Sequence, residues 1–184
     1  MRKATEITIA RATPDDVIGI QDVAYRGWLA TYPNAEHGIT VDDIEDRFKD
    51  RHTEERIAQR REQMANPPDG ETTLIAQEGR KIVGFCRAIK HPDRNQIHAI
   101  YVLPEYHGRG LGSAMWQKAQ QYLDSNQHSI VEVATYNTKA IKFYARLGFT
   151  DTGKRMSDPR FKMKSGAVIP EMEMRRLADC PQRT

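Results

Sequence analysis

The sequence predicts a single domain of the mixed α+β class. Three observations support this class: a helical section over residues 13–66, a hairpin of two apolar strands after it, and then a strand, a glycine-rich turn and an amphipathic helix. The 184 residues are enough to bury a full core, and no repeat or linker divides them. We therefore treat residues 1–184 as one domain, with a core over about residues 7–176 and a frayed tail at residues 177–184.

The first strand and the first helix have clear boundary signals. Alternation over residues 7–11 predicts a strand. Thr13 suits an N-cap, Pro14 suits the first helical position, and Asp16 stands three residues after the cap. The helix should end near residue 29 or 30. Its predicted apolar face consists of Val17, Ile20, Ala24 and Trp28.

Two further helices are predicted before residue 66. Thr40 repeats the capping pattern, and Thr53 begins a polar helical stretch that ends at the turn cluster of residues 66–70. The helix after Thr40 carries a run of acidic side chains, which could attract a cationic amine but is more often a solvated face. These acidic residues are Asp42, Asp43, Glu45, Asp46 and Asp50.

Strands dominate the rest of the chain. Residues 72–76 and 81–88 flank a turn at Glu78-Gly79, and a third strand is predicted at 96–103. A buried strand at 129–135 precedes a short helix closed by a glycine C-cap, and another strand begins near residue 149. Residues 156–167 are polar and predict a long loop. The last strand alternates over residues 168–175, where Pro170 is expected at a sheet edge or a bulge.

A glycine-rich turn, His107-Gly108-Arg109-Gly110-Leu111-Gly112, separates the strand at 96–103 from the next helix. The first N–H groups of a helix lack intrahelical partners, and the helix dipole makes that end positive. Glycines at 108, 110 and 112 remove Cβ atoms that would keep a ligand away, so the stretch indicates a phosphate site, with a plain tight turn as the alternative. A dinucleotide fingerprint is excluded because Ser113 replaces its third glycine, and no Walker A lysine follows.

Two motifs together resemble the GNAT superfamily of acyl-CoA-dependent N-acetyltransferases. The family's pyrophosphate loop reads Gln/Arg-x-x-Gly-x-Gly/Ala; Gly110 and Gly112 match it, whereas His107 stands at its first position. The second motif reads Asn-x-x-Ala-x-x-x-Tyr-x-x-x-Gly-Phe, and the resemblance covers about residues 7–176. The positions that match the second motif are Asn137, Ala140, Tyr144, Gly148 and Phe149.

The resemblance implies a central, mostly antiparallel twisted sheet with helices on both faces. Its middle strands, here residues 96–103 and 129–135, would splay apart to admit acetyl-CoA as co-substrate. The acetyl group would pass to a primary amine by direct attack, with no metal. The cofactor-binding residues implied are Tyr101, Val102, Leu103, His107, Gly108, Arg109, Gly110, Leu111, Gly112, Ser113 and Asn137.

The resemblance assigns Tyr144 as the general acid that protonates the departing thiolate. Asn137 lies seven residues earlier, on the same helix face, and would bind the pantetheine arm. The alternatives are a core aromatic for Tyr144 and a simple helix cap for Asn137. For the general base, His98 has a suitable pKa range but an orientation that depends on strand register, and a water relay is the other candidate.

The acceptor stays open between small amines, polyamines, amino acids and peptides. Trp28 and Tyr32 are candidates for the acceptor pocket, with a core position as the alternative for Trp28. Glu105, just before the glycine-rich turn, is expected outside the cleft. An acyl-CoA sensor without turnover is the rival function, which the presence of Tyr144 disfavours. A homodimer is common in the family, but the sequence leaves the oligomeric state open.

Composition and charge disfavour other classes. The net charge of +3 comes without a basic stripe, so no nucleic-acid partner is expected. No apolar stretch approaches the ~20 residues of a membrane helix, and the N-terminus lacks the apolar run of a signal peptide, so a cytoplasmic location is expected. Cys86 and Cys180 have no companions at metal-ligand spacing, which predicts two reduced thiols and no metal site.

Overall fold

A computed structural model describes residues 6–178, in which seven strands form one sheet and five α-helices flank it. The strands are β1 Ile7–Arg11, β2 Glu71–Glu78, β3 Lys81–Lys90, β4 Asn95–Val102, β5 Ser129–Ala134, β6 Thr150–Ser157 and β7 Pro170–Arg176. The helices are α1 Val17–Thr31, α2 Val41–Phe48, α3 Glu54–Ala65, α4 Leu111–Ala119 and α5 Thr138–Arg146. The predicted mixed α/β class is confirmed.

The sheet order is β1-β2-β3-β4-β5-β7-β6, and every neighbouring pair is antiparallel except β4 and β5. These two strands run parallel and pair only from Asn95 with Ser129 to Ile97 with Val131. Beyond that point they separate, as the family resemblance implied. The strand β4 also carries a bulge toward β3, because His98 is inserted between two positions that pair in register.

Helices cover both faces of the sheet. On one face α1 lies close to the sheet at two glycines: a Cβ at Gly19 would lie 2.5 Å from Ile82 Cγ1, and one at Gly27 would lie 2.6 Å from Tyr101 Cδ1. On the other face α4 packs over Gly84 of β3, where an added Cβ would lie 2.9 Å from the carbonyl oxygen of Tyr101 and 3.2 Å from Met115 Cε of α4. Glycines thus set the distance between helices and sheet on both sides.

The buried apolar residues form two groups. The larger one joins the sheet to α4 and includes Cys86, whose pKa burial raises to about 12. The predicted reduced thiol at Cys86 is therefore an inert core group, while Cys180 lies outside the described residues. The smaller group, which we name the second core, lies beneath α1 and α2, and its buried members are Ile39, Ile44, Ala134, Met163 and Ile169.

The last strand corrects one prediction. Pro170 was expected at a sheet edge or a bulge, but β7 lies inside the sheet between β5 and β6. Pro170 is the first residue of that strand, where its missing N–H disrupts the hydrogen-bond ladder least. Sequence alternation identified the strand, but not its place in the sheet order. Of the predicted tail, residues 179–184 lie outside the described residues.

Three of the five acidic side chains in the run at α2 take part in capping or ion pairing. Asp43 accepts the N–H of Thr40 at 2.9 Å and the N–H of Ser165 at 2.7 Å, so it caps α2 and ties it to the loop before β7. Asp42 pairs with Lys164 at 3.1 Å, and Asp46 pairs with Lys49 at the same distance. These carboxylates therefore serve local structure.

Replacing Gly27 by alanine should destabilise the protein. Alanine favours a helix by about 1 kcal/mol over glycine, but the new methyl group would collide with the ring of Tyr101. We expect overpacking to dominate and lower the free energy of unfolding by about 1–3 kcal/mol, as measured by chemical denaturation. Ala30→Gly, at an exposed position of α1, calibrates the helix-propensity effect. A Gly27→Ala protein as stable as the original would contradict this packing argument.

Asp43 should make stability depend on pH in the acid range. Burial opposes its ionised form, but hydrogen bonds from Thr40 and Ser165 outweigh burial and lower its pKa to about 2. A depressed folded-state pKa contributes stability above the unfolded pKa of about 3.9, and this contribution is lost as pH falls through the folded value. Asp43→Asn should therefore lower the Tm at neutral pH, and the difference from the unmodified protein should narrow as pH falls from about 4 to about 2.

Thermal unfolding across this range tests the prediction, with Asp42→Asn at an exposed position of the same helix as control. A Tm difference that stays constant down to the acid end would contradict the assigned role of Asp43.

Candidate functional site

The gap between β4 and β5 opens beyond Ile97 and Val131. On its other side β4 stays paired with β3 up to Val102. The N–H of Leu103 donates to the carbonyl oxygen of Val83 at 2.9 Å. The alternation of a strand then directs the N–H and C=O of Val102 away from β3, toward the gap. Val102 therefore has polar backbone groups on the gap side, whereas the N–H of Leu103 is already bonded.

The glycine-rich turn at the end of this gap has a left-handed backbone at two positions. Gly108 has φ 78° and Gly110 has φ 75°, and an added Cβ at either would meet nothing within 4 Å. Gly110 is the N-cap of α4. Within residues 6–178, the N–H groups of the first turn of α4 make no hydrogen bond. These donors belong to Leu111, Gly112 and Ser113, and they form the positive end of the helix dipole.

The other residues of this turn have distinct contacts. A Cβ at Gly112 would lie 3.0 Å from the ring of Phe143, so Gly112 permits the close packing of α4 against α5, a role that the sequence analysis did not assign. His107 Nε2 lies 2.9 Å from the carbonyl oxygen of Val102 and fastens the turn to the end of β4. The guanidinium of Arg109 lies over the ring of Tyr106, 4.6 Å from its centroid, and adds positive charge beside the turn.

Tyr144 projects from α5 into the protein interior. Its ring packs edge-on against Phe143 and Phe149, with centroids 5.1 and 5.6 Å away. Burial raises the pKa of Tyr144, and the nearby Cys86 and Tyr32 raise it further. The phenol is therefore neutral at physiological pH. Its hydroxyl makes no hydrogen bond to any other described residue, so it is a donor available to a ligand.

Asn137 begins α5, two helical turns before Tyr144 and on the same helix face. Its Oδ1 accepts the N–H of Ala140 at 3.1 Å, so the helix-cap role considered in the sequence analysis is present. The side-chain NH2 group donates to no atom of the described residues. The cap thus leaves a donor for a ligand, and the two proposed roles of Asn137 are compatible.

Aromatic side chains cluster on the α1 side of the gap. The hydroxyls of Tyr32 and Tyr101 lie 2.9 Å apart, Trp28 packs against Tyr32 with centroids 4.4 Å apart, and Tyr136 donates to the carbonyl oxygen of Tyr32 at 3.0 Å. Burial raises the pKa of both Tyr32 and Tyr101, so both phenols stay neutral. From the sequence, Tyr101 was a candidate only through its backbone, and Tyr136 was not a candidate because it belongs to neither motif.

The candidate bases lie in different surroundings. His98 is exposed at the bulge of β4, and its role as the base stays a prediction. Both oxygens of Glu105 accept hydrogen bonds of 2.9 Å from Arg26, which lower the pKa of Glu105 to about 2 and hold it at the surface. Glu171 of β7, which sequence reasoning missed, is buried and interacts electrostatically with Tyr32. The alternation of glutamate and methionine in β7 was the available signal for a polar face there.

A cavity of about 530 Å³ lies between α1 and the β3 side of the sheet. Among the predicted site residues, only Leu103 lines it. Charged side chains of both signs surround it, including Asp22, Arg26, Arg51 and Lys81. Apart from Leu103, the predicted site residues therefore lie outside the lining of this cavity.

No group of three or more His, Cys, Asp or Glu side chains within residues 6–178 is arranged to hold a metal ion. In the same part of the chain, no helix combines the length and apolar character that crossing a bilayer requires.

Known proteins are similar to this chain in sequence or in fold. An uncharacterized N-acetyltransferase of Methanocaldococcus jannaschii is 36% identical over 92 residues, which cover 45% of this chain and 41% of the relative. One of Mycobacterium bovis is 31% identical over 93 residues, 45% of this chain and 54% of the relative. The match therefore spans about half the length of these curated relatives.

A solved structure extends the likeness to nearly the whole fold. The PaiA N-acetyltransferase of Thermoplasma acidophilum, in complex with coenzyme A, superposes with a TM-score of 0.70 at 17% identity. The superposition covers 94% of this chain and 99% of that protein. The sequence model of the acetyltransferase (GNAT) family matches residues 38–149, and this chain therefore belongs to that family.

Proposed function

We propose that the protein transfers the acetyl group of acetyl-CoA to a primary amine by direct attack on the thioester. The observation that carries this proposal is the gap between β4 and β5, with free helix N–H groups at its end and a buried phenol beside it. Membership of the acetyltransferase family supports the reaction class. The fold neighbour bound to coenzyme A supports the cofactor.

The cofactor would bind along the open edge of β4. Its pyrophosphate would accept hydrogen bonds from the N–H groups at the start of α4, where the helix dipole favours negative charge. Arg109 would add a cation beside that position. The pantetheine arm contains amide groups and would pair with the N–H of Val102 as an added strand does at a sheet edge. The C=O of Val102 already lies 2.9 Å from His107 Nε2 and would accept a second hydrogen bond from the arm. The side-chain NH2 group of Asn137 would bind the same arm.

Tyr144 would act as the acid when the thiolate leaves. In water a thiol has a pKa of about 8.5 and its thiolate is a weak base. A thiolate expelled into a partly buried gap is a stronger base than in water, because burial disfavours its charged form. A neutral phenol there stabilises the developing charge by donating a hydrogen bond and then its proton.

Amine deprotonation needs a separate group, because an alkylamine with a pKa of about 10.4 is mostly charged at neutral pH. We assign this step to a relay of water molecules or to His98, which is exposed at the bulge of β4. Trp28 and Tyr32 would line the acceptor pocket on the α1 side of the gap.

Tyr144→Phe should lower kcat at least roughly tenfold. General acid catalysis typically contributes about 100-fold or more, so tenfold is a conservative lower bound. The affinity for acetyl-CoA should stay unchanged because the hydroxyl acts on the leaving thiolate. Thiol release from acetyl-CoA over a pooled amine panel measures kcat, and calorimetry measures binding. Tyr122→Phe, in the short turn after α4, is the matched control.

Unchanged turnover in Tyr144→Phe would remove Tyr144 from the acid role. Tight acetyl-CoA binding by the unmodified protein without release for any amine would favour the sensor alternative. Failure to bind acetyl-CoA at all would contradict the proposed function.

Gly110→Ala should weaken acetyl-CoA binding. An alanine at φ 75° strains the backbone by about 1–3 kcal/mol and tilts the N–H groups that would hold the pyrophosphate. Gly153→Ala is the matched control, since Gly153 in β6 has φ 82° and equally open surroundings. Calorimetric titration should find the affinity reduced about tenfold or more in Gly110→Ala, equivalent to about 1.4 kcal/mol, and unchanged in Gly153→Ala. Equal affinities in the two variants would remove the turn from the cofactor site.

A further inference from the structure

Four arginines lie on the same side of the sheet as Tyr101. We name them the arginine row: Arg47 of α2, Arg56 and Arg60 of α3, and Arg87 of β3. The row is electrostatically continuous, since Arg47 interacts with Arg56, and Arg60 interacts with both Arg56 and Arg87. Three elements that are distant in sequence thus bring their cations together.

The row reaches the aromatic cluster at Arg47. The guanidinium carbon of Arg47 lies 4.8 Å from the ring centroid of Trp28 and 5.0 Å from that of Phe161. It also interacts electrostatically with the phenols of Tyr32 and Tyr101. Arg47 is therefore a positive group at the wall of the pocket assigned to the acceptor.

The row remains positive in spite of its carboxylate partner. Glu71 receives two hydrogen bonds from Arg87, of 2.8 and 2.6 Å. At Arg60, burial lowers the pKa, and the repulsion from Arg56 and from Arg87 each exceed the attraction of Glu71. Arg56 Nη1 donates to Gln59 Oε1 at 2.9 Å and Arg60 Nη1 donates to Gln63 Oε1 at 3.2 Å. Arg87 is therefore paired with a carboxylate, whereas these bonds of Arg56 and Arg60 are to neutral amides and leave their positive charges in place.

The same pocket offers little to a purely cationic acceptor. Three acidic side chains of α2, those of Asp42, Asp43 and Asp46, are engaged in capping or with lysines, as described above. The aromatic faces of Trp28 and Phe161, which attract ammonium groups, already carry the guanidinium of Arg47. Glu171, which interacts with Tyr32 and Tyr136, supplies negative charge on the opposite, β7 side.

We propose that the acceptor amine carries an anionic group, a carboxylate or a phosphate, which Arg47 and the adjoining arginine row bind. The amine would lie toward Tyr32 and Glu171, and the anionic group toward Arg47. Arginine suits this role because its planar fork donates two parallel hydrogen bonds to either anion. This inference rests on the proposed acetyl transfer and names the acceptor class for the same site.

The test measures binding of reaction products, so it needs no turnover. Protein saturated with CoA is titrated calorimetrically with matched pairs: N-acetyl amino acids against their primary amides, and N-acetylphosphoethanolamine against N-acetylethanolamine. The anionic member of at least one pair should bind about tenfold tighter or more, the difference expected for a charge-assisted contact. Arg47→Ala should remove most of this preference, and Arg56→Ala part of it.

Arg61→Ala is the matched control, because Arg61 is exposed on the same helix as Arg56 and Arg60. It should leave the preference unchanged. Three results with the unmodified protein would overturn the inference. They are equal binding of both members in every pair, binding of none of the compounds, and tighter binding of N-acetylspermidine than of the anionic compounds. A separate titration of the unliganded protein with CoA tests the proposed function independently.

Discussion

The structure depends on the parallel contact of β4 and β5, which lasts only three residue pairs. A buried strand edge with unpaired N–H and C=O groups is unfavourable unless a partner satisfies them. Here the edge of β4 opens beside the N-terminus of α4, so one ligand with amide groups and phosphates can satisfy both sets of donors. The bulge at His98 lies just beyond the last paired residue, Ile97, where it changes the direction of the strand.

Close packing then holds the aromatic side chains at that gap. Gly27 lets α1 approach β4 so closely that the ring of Tyr101 fills the space a Cβ would need. The hydroxyl of Tyr101 meets that of Tyr32, which the same helix delivers at its C-terminal end. On the opposite face, Gly112 lets α4 and α5 come together, and this contact fixes the helix that carries Tyr144. The two faces of the sheet therefore supply different parts of the proposed site.

Charge illustrates why composition is a weak guide to the acceptor. In sequence, the acidic run of α2 is the conspicuous feature, and it favours a cation if any charged ligand. In the fold, Asp43 caps its own helix and holds Ser165, while Asp42 pairs with Lys164. The arginines are dispersed along the chain, yet Arg47 and Arg87 reach the same side of the sheet as part of one electrostatic group.

The sequence by itself determined the fold class, the strand–turn–helix unit at residues 95–119 and the helix that places Asn137 and Tyr144 on one face, because caps, glycines and apolar periodicity are local signals. It could not determine that β7 lies inside the sheet, or that the backbone N–H of Val102 points to the gap while that of Leu103 bonds to β3. Nor could it determine that the hydroxyls of Tyr32 and Tyr101 lie within hydrogen-bond distance. These features depend on register and on packing between segments distant in the chain. The tertiary structure decided them because contact geometry, rather than local preference, sets which side chains share a site.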